Sequence, residues 1–172
     1  MDWQQLPAIE GDQGFEYKIS IIPMRTRMKY SEIHSQSTSV NLAQVLENAV
    51  KRLPPFFLVM TDNAMSFTMK YTHHPERKTA FQKKMQRLGL IHGTIRKGAP
   101  WQNGFIERSN RTDNDELFRG KRFRSAEDRK YQLRLWEMEY NHHRPHQGLG
   151  GMTPIEKFQQ DYRNHPLACV IM

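Results

Sequence analysis

A chain of 172 residues is long enough for one domain with a buried core, and its 37% hydrophobic and 26% charged content suits a globular protein. It contains no apolar run of the roughly 18 residues needed to cross a bilayer, and a single cysteine, Cys169, excludes both an internal disulfide and a cysteine-based zinc site. We therefore expect a cytoplasmic protein with no membrane partner. The formal charge of +8 favours polyanionic partners, with nucleic acid ahead of a membrane surface.

Three strands are predicted at the start of the chain. Residues 2–6 form the first strand, which is followed by a turn at 10–14. Residues 15–22 and 28–33 alternate apolar and polar side chains for most of their length, which is the pattern of half-buried strands. Short connections between the three strands favour an antiparallel meander.

Helices and strands alternate in the middle of the chain. Apolar residues recur at helical spacing over 40–53, and the apolar run 56–60 then predicts a buried strand. Because that strand follows a crossover helix, we expect it to lie parallel to the first strand. A second helix is predicted over 78–88 and a fifth strand over 90–95.

The last third of the chain is predicted to be helical. A helix can start after Pro100, and Ser125 caps a long helix that runs to about Tyr140. Residues 141–149 break that helix, and Thr153 followed by proline begins a last short one. Residues 165–172 read as a loose tail or as a contact with another subunit.

The helix after Pro100 carries an unusual polar face. At helical spacing one stripe collects five polar residues: Asn103, Glu107, Asn110, Arg111 and Asn114. Such a face is either a solvated surface or the partner of a polar group, because burying ionised side chains without a partner costs several kcal/mol.

Two further acids change how Glu107 is interpreted. Asp62 directly follows the buried strand at 56–60, and Asp2 lies in the first strand. Two strand-borne acids and one helix-borne acid can bind a pair of Mg²⁺ ions through oxygen ligands. The pattern therefore favours a phosphoryl-transfer site.

The order of the elements is that of the α/β ribonuclease H-like fold, with a five-stranded mixed sheet flanked by helices. Several motifs also resemble the integrase catalytic core of bacterial insertion-sequence transposases, which belong with retroviral integrases to the DDE superfamily. These motifs are Asp2 with Leu6-Pro7, Thr61-Asp62-Asn63 with Phe67-Thr68, His92, Pro100, Asn103-Gly104 with Glu107-Arg108, Tyr140-Asn141 with Arg144-Pro145-His146 and Leu149, and Thr153-Pro154. The resemblance covers nearly the whole chain, with residues 1–120 as the catalytic core and residues 121–172 as a C-terminal helical extension of the same domain.

The resemblance implies metal-dependent DNA cleavage and strand transfer. Asp2, Asp62 and Glu107 would hold two Mg²⁺ or Mn²⁺ ions, with Asn63 and His92 as supporting residues. His92 has an alternative interpretation as a packed structural histidine. The residues expected to contact DNA are Arg96, Lys97, Asn103, Arg108 and Arg111.

The implied partners are DNA, as element ends and target, and further copies of the chain, at least as a dimer. The chain departs from the family pattern at Pro23 and Ala64 and begins one residue before Asp2, which motivates an alternative: a catalytically degenerate DNA-binding or oligomerising remnant. A ribonuclease H-type nuclease shares the fold but lacks support from the motif between Tyr140 and Pro154.

Two smaller questions stay open at the level of sequence. His142, His143 and His146 suggest either a zinc site or a brace for the long helix, and the brace, or a contact with DNA, is the expectation. Trp101 is either an anchor at the helix start or a stacking platform for a base, with the anchor preferred.

Overall fold

The computed structural model of the protein describes residues 1–9 and 14–163. The predicted turn at 10–14 falls mostly outside these ranges, and the predicted tail at 165–172 falls wholly outside them. Among the described residues, no helix is both long and apolar enough to span a membrane.

The first three strands form the predicted antiparallel meander. They are β1 (Asp2–Leu6), β2 (Glu16–Ile21) and β3 (Tyr30–His34). In their register Asp2 lies opposite Ser20, and Ser20 lies opposite Ser31. The prediction of a meander is confirmed.

The alternating helices and strands also form in the expected order. They are α1 (Ser39–Val50), β4 (Leu58–Thr61), α2 (Ala80–Arg87) and β5 (Ile91–Thr94). The hydroxyl groups of Thr38 and Thr79 cap the two helices by accepting a hydrogen bond from the backbone N–H three residues on. The strand predicted from residue 56 begins only at Leu58.

The expectation of one five-stranded sheet is met only in part. The five strands are present, but within the described residues their hydrogen bonds form a three-stranded antiparallel sheet of β1, β2 and β3 and a parallel pair of β4 with β5. β1 and β4 touch where the nitrogen of Met1 donates to the carbonyl of Met60 at 2.7 Å. Within the described residues this contact does not continue as a ladder between the two sheets.

The remaining chain is helical. A 3₁₀ turn over Pro100–Asn103 leads into α3 (Gly104–Asp113), which continues as a π-helical turn over Asn114–Phe118. The long helix α4 (Ala126–His142) and the last helix α5 (Pro154–Tyr162) begin at the predicted caps, Ser125 and Thr153. 

Both faces of the meander are covered. On one face Ile19 and Ile21 pack with residues of α1 and α2 in a buried apolar cluster. On the other, Leu6 and Ile33 pack with apolar residues of the π-helical turn and α4. Side chains at alternate positions of the strands therefore meet two different helical layers, and Asp2 lies on the side of α3.

Candidate active site and its supporting network

Asp2 is held where three elements meet. Its carboxylate accepts a hydrogen bond at 3.0 Å from the side-chain amide of Asn110 on α3. The neighbouring Met1–Met60 hydrogen bond ties the start of β1 to the end of β4. The first strand is thus fixed against both the helix and the strand that carry the other two candidate acids.

Asp62 directly follows β4. Its carboxylate accepts a hydrogen bond at 3.0 Å from the backbone N–H of Ala64, and its carbonyl accepts one at 2.8 Å from the hydroxyl of Thr61. The first of these is the local turn that aspartate side chains favour at the end of an element. The turn fixes the direction in which the chain leaves the strand.

Glu107 lies in the first turn of α3, three residues before Asn110, and its side chain is exposed. Burial raises the pKa of the Asp2 carboxyl, a backbone hydrogen bond at Trp3 opposes the rise, and the charges of Asp62 and Glu107 add to it. Asp62 and Glu107 therefore each lie within electrostatic reach of Asp2. In the described ranges, however, no group of three or more His, Cys, Asp or Glu side chains is arranged so that it could already hold a metal ion.

Two amide oxygens beside these acids have no hydrogen-bond partner among the residues that the structure describes. They are the buried Oδ1 atoms of Asn63, next to Asp62, and of Asn110, which donates to Asp2 through its nitrogen. A buried acceptor without a donor is unfavourable, whereas oxygen is the ligand that Mg²⁺ and Mn²⁺ prefer. The chemistry of the donor set fits a hard divalent cation.

The two residues predicted to support the site pack between the ends of β4 and β5. The Nδ2 atom of Asn63 donates to the carbonyl of Ile95 at 3.0 Å, which joins the segments that follow the two strands. His92 lies 2.9 Å from the hydroxyl of Thr61, and its ring meets the Phe81 ring edge-on at 5.2 Å. Burial lowers the pKa of His92. These contacts correspond to the structural interpretation of this histidine.

The predicted DNA-contacting residues line the approach to α3. Arg96 and Lys97 are exposed in the loop before the helix, where the Arg96 backbone N–H donates to the Gln102 side chain at 2.9 Å. Arg108 and Arg111 are exposed on α3 itself, and Asn103 is half-buried at its start. Trp101 is 74% exposed, so the preferred interpretation as a buried anchor is wrong.

A buried cluster of charges lies beneath the polar face of α3. Asp113, at the end of that helix, forms ion pairs with Lys18 of β2 and with Lys29, and none of the three side chains is exposed. Its Oδ1 also accepts a hydrogen bond at 2.8 Å from the indole of Trp136 on α4. Sequence reasoning missed this cluster, because an alternating strand pattern predicts Lys18 on a solvated face.

The ionisation of the cluster follows from burial and pairing. Burial disfavours the Asp113 carboxylate, yet the two ammonium charges outweigh this effect and hold its pKa below the usual range. Burial lowers the pKa of both lysines, that of Lys29 to about 8, and Asp113 partly offsets the effect. The cluster fixes α3 against the meander six residues beyond Glu107.

The residues at the end of α4 and just after it pack against the buried cluster of Asp113, Lys18 and Lys29. The ring of His146 packs edge-on against Tyr140 at 4.6 Å, and the Lys29 ammonium lies 3.7 Å from the centre of the Tyr140 ring. Arg144 forms two hydrogen bonds with Glu116, at 2.6 and 3.1 Å. These contacts match the expected brace, and no metal-binding histidine group occurs in the described part of the chain.

Gly148 leaves room for the side chain of a neighbouring arginine. A Cβ atom at Gly148 would overlap the guanidinium of Arg27, which lies 5.2 Å from the Phe105 ring on α3. Arg27 has a left-handed backbone, with φ of 58°, and its buried Nε finds no hydrogen-bond partner within residues 1–9 and 14–163. The motif therefore contacts the start of α3 through a constrained arginine.

Known proteins resemble this chain both in sequence and in fold. Residues 88–154 match the family described as "Integrase core domain". The fold is similar to the catalytic core domain of BIV integrase, with a TM-score of 0.63 over 94% of this chain and 95% of that chain at 18% identity. Residues 88–154 thus resemble integrase core domains in sequence, and the fold of the whole chain is similar to that of an integrase catalytic core.

Two further relatives bear on this integrase-like core. The "Insertion element IS476 uncharacterized 39.2 kDa protein" of Xanthomonas euvesicatoria is 33% identical over 105 residues, which are 61% of this chain and 28% of that protein. The chain thus spans under a third of that relative's length. A chain of a simian T-cell lymphotropic virus intasome, solved with the PP2A regulatory subunit B56 gamma, matches with a TM-score of 0.58 and 16% identity over 84% of this chain and 49% of that one.

Proposed function

We propose that this integrase-like core cleaves DNA and joins DNA strands by metal-dependent phosphodiester transfer. Asp2, Asp62 and Glu107 would hold two Mg²⁺ or Mn²⁺ ions, as the sequence predicts. The family match over residues 88–154 supports this class of reaction. The division into a catalytic core at 1–120 and a helical extension at 121–172 belongs to the same proposal.

The observation that carries the proposal is the contact of β1 with both other acid-bearing elements. The Asn110 amide holds Asp2 against α3, one turn from Glu107, and the Met1–Met60 hydrogen bond holds β1 against the strand that precedes Asp62. These contacts support the proposal that acids 60 and then 45 positions apart in the sequence act at one site.

The chain's own residues have distinct parts in this scheme. Divalent cations would polarise the phosphodiester and neutralise the charge that develops on the leaving oxygen. Asn110 orients the Asp2 carboxylate, while the free oxygens of Asn63 and Asn110 are additional oxygen donors beside the acids. The Asp113 cluster keeps α3, and with it Glu107, fixed against the sheet.

We propose DNA, as element ends and target, as the substrate. The formal charge of +8 favours a polyanion, and the exposed Arg96, Lys97, Arg108 and Arg111, with Asn103, would contact backbone phosphates. Such contacts fix position and do not read sequence. Because strand transfer joins two DNA ends, we also propose that the active form contains at least two copies of the chain.

The test compares Asp62→Asn with the wild-type chain. The variant keeps the shape of the side chain and removes one proposed ligand charge, so we expect it to lose Mn²⁺-dependent nicking and strand transfer on supercoiled DNA, and to bind Mn²⁺ more weakly in calorimetry. The matched control is Asp115→Asn, whose side chain is 52% exposed in a surface ion pair with Arg119. Undiminished cleavage by Asp62→Asn would overturn the metal-site proposal.

One observation favours a second candidate, the catalytically degenerate remnant. In the described residues the three acids do not already form an arrangement that could hold a metal. A remnant would bind DNA with the expected salt dependence but would neither cleave it nor bind Mn²⁺ with any dependence on Asp62. The same two measurements therefore separate the two functions.

A further inference from the structure

Two lysines from different loops lie against one exposed tyrosine ring. The ammonium of Lys70 lies 5.3 Å from the centre of the Tyr71 ring, and that of Lys97 lies 5.7 Å from it. We propose that Lys70, Tyr71 and Lys97, which we call the lysine–tyrosine cluster, bind the phosphate backbone of a DNA strand that leads to the candidate active site. The proposal rests on the proposed function and extends it to the loop of Lys70 and Tyr71, to which the sequence analysis assigned no role.

The position of the cluster follows from the parallel pairing of β4 with β5. The carboxyl ends of parallel strands lie at the same edge of a sheet, and Lys70 and Lys97 lie in the segments that follow these ends. Ile95 joins the two segments: its N–H donates to the Thr61 carbonyl at 3.0 Å, and its carbonyl accepts from Asn63 at 3.0 Å. The cluster therefore lies at the edge where Asp62 leaves β4.

Local turns hold the two lysines in place. The backbone N–H of Lys70 donates to the Thr68 hydroxyl at 3.2 Å, and the N–H of Ala99 closes a turn around Lys97 by donating to the Arg96 carbonyl at 3.0 Å. Tyr71 is 50% exposed, so the cluster is open to solvent. A large ligand can reach it without rearrangement of the fold.

The two positive charges of the lysine–tyrosine cluster favour binding of an anion. In the part of the chain that the structure describes, neither lysine forms an ion pair with an acid. An aromatic ring attracts an ammonium group above its face, so Tyr71 can hold both cations near one another despite their repulsion. One phosphodiester beside each ammonium group would neutralise that repulsion.

Salt-dependent DNA binding in the absence of metal tests the proposal. We would measure binding of a fluorescent duplex by the full chain in EDTA, by anisotropy across a salt series. Each phosphate contact contributes about 0.9 to the slope of log K against log salt, so the double variant Lys70→Ala/Lys97→Ala should lower the slope by about 1.8. Circular dichroism would verify that the variants fold.

The matched control removes two positive charges from the opposite edge of the sheet. Lys51 and Arg87 are exposed at the ends of α1 and α2, just before β4 and β5 begin. The double variant Lys51→Ala/Arg87→Ala should change the slope by less than half as much. An equal change in both double variants would overturn the proposal, because it would mean that only net charge matters.

Substitution of the ring adds a second, independent readout. Tyr71→Phe keeps the ring that gathers the ammonium groups and should bind DNA as the wild type does, whereas Tyr71→Leu should bind several-fold more weakly. Equal binding by Tyr71→Phe and Tyr71→Leu would overturn the role of the ring. Polyglutamate that competes as well as DNA at matched charge, and is equally sensitive to the lysine variants, would assign the cluster to an acidic protein and overturn the DNA proposal.

The outcome is separable from that of the proposed function. If wild-type chain binds DNA, Asp62→Asn loses cleavage, and the lysine variants behave like their control, only the lysine–tyrosine cluster is refuted. If Asp62→Asn still cleaves DNA while the lysine variants lower the slope, the metal site is refuted and the cluster stands.

Discussion

The buried Asp113 cluster predicts a large loss of stability from a small change of side chain. Asp113→Asn preserves shape and keeps an acceptor for Trp136, but it removes the only negative charge paired with Lys18 and Lys29 in this cluster. Removing one partner of a buried ion pair costs about 3–5 kcal/mol, because the other charge is left without compensation. Since two lysines lose their partner here, we expect the upper half of that range.

The assay is urea and thermal unfolding. For a chain of this size each kcal/mol of lost stability lowers Tm by about 2–4 °C. A loss of about 4–5 kcal/mol in Asp113→Asn should therefore lower Tm by roughly 8–20 °C at pH 7. Asp115→Asn, two residues along the same chain but in an exposed pair with Arg119, should cost less than about 1 kcal/mol. The stability lost in Asp113→Asn should become smaller as the pH rises above about 8, because burial lowers the pKa of Lys29 to about 8 and this lysine then loses its charge.

A second variant keeps the reasoning testable if Asp113→Asn fails to fold. Replacing the whole cluster with apolar residues of similar volume, as in Lys18→Met/Lys29→Met/Asp113→Leu, removes the unpaired charges together, and such replacements are often neutral or stabilising. We therefore expect the triple variant to be more stable than Asp113→Asn. A midpoint for Asp113→Asn within error of that of Asp115→Asn would refute the argument.

Three further predictions concern packing and pH. Gly148→Ala should lower the free energy of unfolding by about 1 kcal/mol, because the new Cβ displaces Arg27 from the Phe105 ring. In a double-mutant cycle measured by urea unfolding, the same substitution should cost clearly less when Arg27 is already alanine. Fully additive costs would contradict the contact. Burial opposes ionisation of Glu32, but hydrogen bonds from His34, Tyr30 and Asn48 lower the pKa of its carboxyl from 4.5 to about 2. The ionised carboxylate therefore adds about 3 kcal/mol to the free energy of unfolding above pH 4.5, and this contribution is lost as the pH falls toward 2. Glu32→Gln should flatten that acid limb of a stability–pH curve, and an unchanged limb would count against these hydrogen bonds. Burial raises the pKa of Glu137 to about 7, so the free energy of unfolding should fall by up to about 3 kcal/mol as the pH rises from 4.5 to 7. Glu137→Gln should remove this slope, and the same slope in the variant would contradict burial of the carboxyl.

Most elements of the fold could be predicted from local sequence. Strand alternation identified the meander, and the hydroxyl caps predicted at Ser125 and Thr153 mark helix starts that the structure contains. These signals are local, because a cap bonds to a backbone N–H three residues away and a strand alternates with a period of two. The exact bounds shifted by one to three residues, as at α1 and β4, because the ends of elements depend on their neighbours.

The candidate site could be predicted only as a set of residue types. The sequence placed Asp62 after a strand and Glu107 on a helix, and the contacts of Asp2 with Asn110 and of Met1 with Met60 agree with the expected convergence. Whether the three acids bind metal stays a prediction. The role proposed for Tyr71 had no sequence signal, because Lys97, unlike the neighbouring Lys70, comes near its ring only once β4 and β5 pair.

The sequence by itself determined which segments are strands and helices, and which acids and bases are available for chemistry. Only the tertiary structure decided that Lys18 is buried, because an alternating strand shows one polar and one apolar face but not whether a second layer of helices covers the polar face. Here α3 and α4 cover it, and Asp113 supplies the counter-charge from 95 residues away. Ion pairing over that separation depends on how the layers pack, and no local pattern encodes it.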